Sequence, residues 1–331
     1  MPTLYVTEQG ARVEKEYRRF LVTKEDEVLL AVPAVQVSHV VLVGNVGVTT
    51  PALVAMLREG VGLSLVSRAG ELRGQLMPPT GKNIPLRHRQ YERAGNPTFC
   101  LEVSRAFVGG KLRNYRTLAR RMARERPEIG PEPMARISDC IRRLPEAEDL
   151  AVLRGMEGEG SRAYFAIYRQ ALKPGMGFEK RTRRPPRDPA NALLSLGYTL
   201  LTNNLVTACE IVGLDPYDGF FHSDKYGRPS LALDLVEEFR GVIVDSVVMN
   251  VVNRGMLEAK DFEPGSAEGV YLKPRAMKEF FQQYSARLNT EVIHPLAGRR
   301  LSYQKCFEVQ ARLLRKVIEG SQEIYQPFLA K

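Results

Sequence analysis

The sequence predicts an α+β protein of two lobes, an N-terminal β-strand-rich domain followed by a C-terminal all-α domain. Three observations carry that reading. Short β-branched runs are confined to residues 1–76. A Pro/Gly-rich stretch, Met77-Pro78-Pro79-Thr80-Gly81-Lys82-Asn83, follows them and reads as a linker. Beyond it the pattern is helical almost throughout. The expected domains are therefore 1–80 and 84–331.

Within the first region, Leu4–Thr7, Phe20–Thr23, Val28–Val32 and Val35–Val43 read as strands, punctuated by Gly10 and by Lys24-Glu25-Asp26-Glu27. One helix interrupts them, with Thr50 as its expected cap, Pro51 in its first turn and Gly60 at its end. Val61–Val66 returns to strand. Gly44-Asn45-Val46-Gly47 resembles a phosphate loop in position only. It lacks the Lys-Ser/Thr of a P-loop and the third glycine of a dinucleotide fingerprint, so it reads as a plain turn.

In the second region Phe99–Glu125 is one long helix candidate, weakened by Gly109-Gly110. Asp188-Pro189 opens another, which Gly213 closes. Ser230–Asn253 and Leu301–Glu319 are further candidates.

Composition narrows the function. The 331 residues include 48 Lys/Arg and 38 Asp/Glu, a net charge of +10, which favours a polyanionic partner. Residues 1–83 hold nine basic and eight acidic residues, so nearly all of the excess, +9, lies in residues 84–331. No apolar run approaches the ~20 residues of a membrane helix, and the N-terminus lacks a basic stretch leading into an apolar one. A cytoplasmic protein is expected. Cys100, Cys140, Cys209 and Cys306 lie far apart with no C-x-x-C, which points to reduced, buried thiols rather than zinc or redox chemistry.

Two basic elements stand out. Arg113, Arg116, Arg120 and Arg124 recur every three or four residues and form a stripe on a helix. From Arg105 to Arg126 there are eight basic residues and one acidic, a bias that suits phosphate contacts. The second element is the loop Lys173–Arg187, six positive residues among prolines and glycines, which reads equally well as a nucleic-acid clamp or a surface loop.

Three acidic or imidazole elements sit in this basic region. Gly155-Met156-Glu157-Gly158-Glu159-Gly160 places carboxylates among glycines, just before a helical segment. Gly219-Phe220-Phe221-His222-Ser223 carries one of only four histidines. The segment beginning Ser230–Arg240, continued as a helix, puts Asp234, Glu237, Glu238, Gly241 and Asp245 on one face, opposite Leu235, Val236, Phe239, Val242, Ile243 and Val247. By itself that is an ordinary solvated face. Two carboxylates and an imidazole brought together from separate elements would suit Mg²⁺ or Mn²⁺, imidazole favouring Mn²⁺. A metal on a basic surface suits phosphodiester chemistry. No G-x-S-x-G or H-E-x-x-H competes.

The motifs Glu157-Gly158 with Arg162 and Tyr164-Phe165, Asp188-Pro-x-Asn191-Ala192, Gly197-Tyr198, Gly213-Leu-Asp-Pro216, Gly219-Phe-x-His222 and Ser230-Leu-x-x-Asp234-Leu-x-Glu237-Glu238-Phe-Arg240 appear in that order. Together they resemble the CRISPR-associated endonuclease/integrase of spacer acquisition, the larger of the two universal adaptation proteins. The resemblance runs the whole chain; each motif alone is weak, and their order is specific.

It implies an N-terminal β domain that dimerises and a helical catalytic domain that binds DNA. It also implies a homodimer and a small ferredoxin-like partner dimer bridging two such dimers. The implied reaction is insertion of short foreign DNA into a CRISPR array by transesterification, or cleavage when water is the nucleophile. Carried over residue by residue, the ligands of Mn²⁺ or Mg²⁺ are Glu157, His222 and Glu237, with Asp234 as the adjacent acid. Glu159-Gly160 repeats the Glu-Gly pair, and the seven-residue spacing to Tyr164 favours Glu157. Charge and proximity add Arg113, Arg116, Arg120, Arg183, Arg184, Lys225 and Arg228 as candidate DNA contacts. A nuclease acting on branched DNA in repair and a non-catalytic DNA scaffold are the competing readings.

Overall fold

The computed structural model describes residues 3–37, 39–67, 72–76, 83–183, 185–222, 225–265 and 268–330. Of the expected linker only Asn83 falls among them; its side chain caps the next helix by accepting from Leu86 N–H at 3.3 Å. Arg184 and Ser223 lie outside the described residues.

Strands come first. They are β1 (Thr3–Val6), β2 (Arg12–Glu16), β3 (Arg19–Lys24), β4 (Glu27–Pro33), β5 (His39–Val43) and β6 (Gly47–Val48), then, after helix α1 (Thr50–Arg58), β7 (Gly62–Val66) and β8 (Leu72–Leu76). One sheet runs β4-β3-β2-β6 and the other β1-β5-β7-β8. In the β3–β4 hairpin Glu25 and Asp26 both take positive φ, 48° and 67°, as a two-residue turn of matching twist requires. β2 and β8 carry charged or glycine-containing sequences and escape the β-branched pattern; pairing with β3 and β7 defines them. The run expected as one strand at 35–43 is broken, a short 3₁₀ turn at Ala34–Gln36 preceding β5. The cap of α1 is Thr49 rather than Thr50: its hydroxyl accepts from Ala52 N–H. Gly44, with φ of 74°, makes the segment after β5 a plain turn.

Alternation along β5 joins the two regions. Val40 and Leu42 face the core of the strand region with Val13, Phe20 and Met56, while Val41 and Val43 face the helices. On neighbouring β1, Tyr5 stacks at 4.8 Å on Phe281, contributing a further part of that contact.

The helices are α2 (Ile84–Ala94), α3 (Pro97–Glu125), α4 (Glu132–Arg143), α5 (Leu150–Ala171), α6 (Pro189–Val212), α7 (Ser230–Phe239), α8 (Ser246–Asn253), α9 (Pro274–Asn289) and α10 (Tyr303–Glu319). A π-helical segment, Arg240–Asp245, joins α7 to α8. Two short antiparallel strand pairs, β9 (Phe262–Pro264) with β10 (Val270–Leu272) and β11 (Glu291–Ile293) with β12 (Arg300–Ser302), complete the described fold. Asp188 caps α6 and Gly213, at φ 92°, ends it, as the sequence pattern predicts.

Central to this region is α3, which is buried along most of its length and packs on α5, α4 and α7. Its glycine pair does not break it. A Cβ on Gly110 would stand 2.5 Å from Pro327 Cβ, so the glycine admits the C-terminal segment against the helix. That close packing offsets the roughly 1 kcal/mol that glycine costs a helix.

Candidate active site

Three helices meet at the site. Glu157 comes from the middle of α5, not from a turn before it as the glycine-rich pattern suggests. Asp149 caps α5 through Ala151 and Val152 N–H, and the helix runs uninterrupted through its glycines; Gly160 lets Leu112 of α3 approach. Glu237 comes from α7, and Lys111 from α3 lies between them. The Lys111 ammonium contacts Glu157 Oε1 directly and stands 2.6 Å from Glu237 Oε2. The approach to Oε2 lies off a directed hydrogen-bond angle, so it is best described as an ion pair. The Lys111 and Glu237 side chains are 4% and 5% exposed, whereas Glu157 is 22% exposed and opens the site to solvent.

Burial opposes ionisation of Glu237, but Lys111, Arg240 and His222 outweigh it and hold the carboxyl at about 2. Glu157 is likewise pushed up by burial, yet Lys111 and the Ser161 hydroxyl, donating at 2.8 Å, keep it below its ordinary value. Both are carboxylates at neutral pH. Glu159, two residues on, neighbours Cys140 of α4 instead, so helix geometry separates the two candidate glutamates.

His222 arrives from the turn before α7. Asp234 fixes that turn. Its Oδ2 accepts from Phe220 N–H at 2.7 Å and Phe221 N–H at 3.0 Å, and its Oδ1 from His222 N–H at 2.9 Å. The same Oδ1 lies 2.7 Å from His222 Nδ1. That contact places the ring proton on Nδ1 and leaves the Nε2 lone pair free. Nε2 lies 3.9 Å from Glu237 Oε1. Asp234 is fully buried and its oxygens are committed to the turn. It therefore orients His222 rather than facing the space beside Glu237. A Cβ on Gly219 would fall 2.9 Å from Asp234 Oδ2 and 2.7 Å from the Ser230 backbone, so only glycine fits there.

The acidic face of α7 is not solvated. Asp234, Glu238 and Asp245 are wholly buried because α3, α6 and the C-terminal segment enclose the helix. Each carboxylate has its own partners. Glu238 accepts from Tyr325 Oη at 2.5 Å, Phe328 N–H at 2.6 Å and Gln310 Nε2 at 2.8 Å. Asp245 accepts from Tyr198 Oη. Arg240 packs its guanidinium 4.0 Å from the Tyr198 ring centroid and stands 3.5 Å from Glu237 Oε1.

Sequence pattern alone misses several of these groups. Lys111 sits 46 positions before Glu157, behind a glycine pair that reads only as a helix weakness. Arg154, one turn before Glu157, donates to the Phe221 carbonyl at 2.7 Å and ties the His222 turn to α5. Gln90 of α2 donates to the Asp215 and Asp218 carbonyls at 2.8 Å, steadying the chain before that turn. Asn191, part of a recognised motif, has a local structural role: it accepts from Arg181 Nη1 at 2.7 Å and Thr182 N–H at 3.0 Å, pinning the basic loop to α6.

The basic candidates fall into separate groups. Arg113 and Arg120 are exposed and Arg116 half-buried on α3; burial, then repulsion from Arg120 and Arg113, lowers the Arg116 pKa, as adjacent guanidinium groups require. Arg183 is exposed in the loop before α6. Lys225 and Arg228 line one recess with Asp215, Tyr217 and the fully exposed Tyr226, just past His222.

Among the described residues, no three His, Cys, Asp or Glu side chains close around a common point on their own. The point between Glu157 and Glu237 holds the Lys111 ammonium. The donors nevertheless suit a divalent ion: two ionised carboxylates already share one cation, and an imidazole lone pair borders Glu237. No helix among the described residues is long and apolar enough to cross a membrane.

The family model described as CRISPR associated protein Cas1 matches residues 4–286. A CRISPR-associated endonuclease Cas1 of Thermus thermophilus is 39% identical over 331 residues, covering 99% of this chain and 97% of the relative. Among solved structures, a casposase bound to integration product superposes with a TM-score of 0.88 at 23% identity, covering 98% of this chain and 93% of the casposase. A chain of a Cas6-RT-Cas1--Cas2 complex superposes with a TM-score of 0.82 at 21% identity, covering 98% of this chain and 36% of that longer one.

Proposed function

The chain belongs to the CRISPR associated protein Cas1 family, and we propose that it is a metal-dependent DNA endonuclease and integrase that inserts short foreign DNA into a CRISPR array. One observation carries the chemistry: the carboxylates of Glu157 and Glu237 share a single cation beside the free Nε2 of His222. These three residues would hold Mn²⁺ or Mg²⁺. Such an ion polarises a phosphodiester, activates a hydroxyl or water nucleophile and neutralises developing charge. The chain's own residues prepare that centre. Asp234 sets the tautomer and direction of His222, Arg154 ties its turn to α5, and Lys111 with Arg240 keeps Glu237 ionised. The net +9 of residues 84–331 attracts DNA, with Arg113, Arg116, Arg120, Arg183, Arg184, Lys225 and Arg228 as phosphate contacts.

In this reading residues 1–80 form the dimerisation domain and residues 84–331 the catalytic one. A homodimer is supported by β4, an edge strand that leaves Val28, Leu29 and Leu30 about half exposed. The solved complex that pairs Cas1 with Cas2 supports a second partner, a small ferredoxin-like dimer bridging two such dimers. A protein acting on a genomic array would work in the cytoplasm.

The test is an integration assay with short duplex DNA, a repeat-bearing plasmid and Mn²⁺. Joined products that require Mn²⁺, and that Glu157→Ala abolishes while DNA binding persists, are expected. Cleavage of branched DNA without joining would favour a repair nuclease. Binding without either reaction would favour a scaffold.

A further inference from the structure

We propose that Lys111 is the resident counter-ion of the Glu157–Glu237 pair: its ammonium holds the cation position in the metal-free protein, and a divalent ion binds by displacing it. The inference rests on the reading of Glu157, His222 and Glu237 as metal ligands and adds a step that precedes metal entry.

Geometry is the first support. The two carboxylates come from α5 and α7 and the ammonium from α3, so no local sequence requirement brings them together. Lys111 is buried, with Nζ 5.5 Å from the Tyr115 ring centroid of its own helix. The ammonium touches both carboxylates and no other acidic group among the described residues.

The energetics of an empty site give the second support. Two carboxylates facing each other in a largely buried cleft repel, and each loses hydration there. Without a cation between them, the helices carrying them would be pushed apart. The ammonium neutralises the pair, so α5 and α7 can close on α3 before any metal arrives.

Displacement follows from space and sign. A divalent ion bound by the same oxygens would sit ~2–2.5 Å from them, within a few ångström of where Nζ now stands. Like charges that close exclude one another. A lysine can leave because its ammonium is a compact charge on four rotatable carbons. The Glu157 side of the cleft is the more open, so it offers the exit.

The experiment uses the wild-type full-length protein without DNA. Amine acylation followed by peptide mass spectrometry is run in EDTA and in saturating Mn²⁺, with Mn²⁺ binding read separately from the electron-spin signal of the free ion. Lys111 should be protected in EDTA and labelled at least fivefold faster with Mn²⁺, while exposed Lys173 stays constant. Mn²⁺ bound with Lys111 labelling unchanged or slower would overturn displacement and leave the metal reading intact. No Mn²⁺ binding would overturn both. Lys111→Met supplies a second readout: its melting temperature should fall below wild type in EDTA, and Mn²⁺ should raise it by more than it raises wild type. An equal rise in both proteins would count against the proposal.

Discussion

Replacing Asp234 with Asn tests how the His222 turn is held. The carboxylate accepts four contacts, two at each oxygen: Phe220 and Phe221 N–H at Oδ2, and His222 N–H and Nδ1 at Oδ1. Asparagine keeps the shape but offers one oxygen, so whichever way the amide turns, its NH₂ faces two donors. Hydrogen bonds to a charged group contribute about 1.5–3 kcal/mol each, which puts the loss of two at roughly 3–6 kcal/mol. The lower figure is expected, because Gly219–His222 can detach locally without unfolding α7. Urea unfolding followed by far-ultraviolet circular dichroism should therefore show Asp234→Asn about 3 kcal/mol less stable. Mn²⁺ affinity should fall by roughly 10–100-fold, since in the proposed reading the residue orients the ligand His222 rather than acting as one. A variant within about 0.5 kcal/mol of wild type, with full metal affinity, would refute the assigned role.

Three further outcomes follow from other parts of the structure. Burial pushes Glu238 up to about 7 despite its hydrogen bonds from Tyr325, Phe328 and Gln310. A carboxyl raised from its unfolded value of ~4.3 stabilises fully below that value and loses its contribution as pH rises through about 7. Glu238→Gln does not titrate, so the difference in unfolding free energy should shift in the variant's favour by about 3 kcal/mol between pH 4 and pH 8; a flat difference would count against the burial described. Gly110→Ala should destabilise by about 1–3 kcal/mol and speed carboxypeptidase trimming, because its Cβ meets Pro327; a higher melting temperature would mean that the C-terminal segment does not pack there. Finally, replacing Arg113, Arg116 and Arg120 together with Ala should flatten the log–log salt dependence of DNA binding by about 2–3; an unchanged slope would remove that stripe from the DNA interface.

The sequence pattern makes the division of strands from helices legible because two periodicities differ sharply across it. It misses β2 because Arg12-Val-Glu-Lys-Glu has a single apolar residue and is defined by its neighbours. It also misses α2, α4 and α9, where polar residues dilute the helical signal. At the site, Glu157, His222 and Glu237, picked out by motif order, come near one another in the fold, but their surroundings are not legible in the pattern. The acidic stripe of α7 looks solvated because its partners are remote in sequence: Asn114 bonds the Glu238 carbonyl across 124 positions, and Tyr325 meets the Glu238 carboxylate across 87. Lys111 is invisible for the same reason. The glycine-flanked stretch around Glu157, which reads as lying just before a helical segment, is itself helical, and of its glycines Gly160 admits Leu112 of α3. Local pattern reports propensity; the charges that decide this site are matched only in three dimensions.

The central claim, that Glu157, His222 and Glu237 hold the ion that acts on DNA, is tested most directly by anomalous X-ray scattering from crystals soaked in Mn²⁺. The account predicts one peak ~2–2.5 Å from a carboxylate oxygen of Glu157, one of Glu237 and Nε2 of His222, with the Lys111 ammonium moved away. A peak elsewhere, or none in crystals saturated with Mn²⁺, would contradict it.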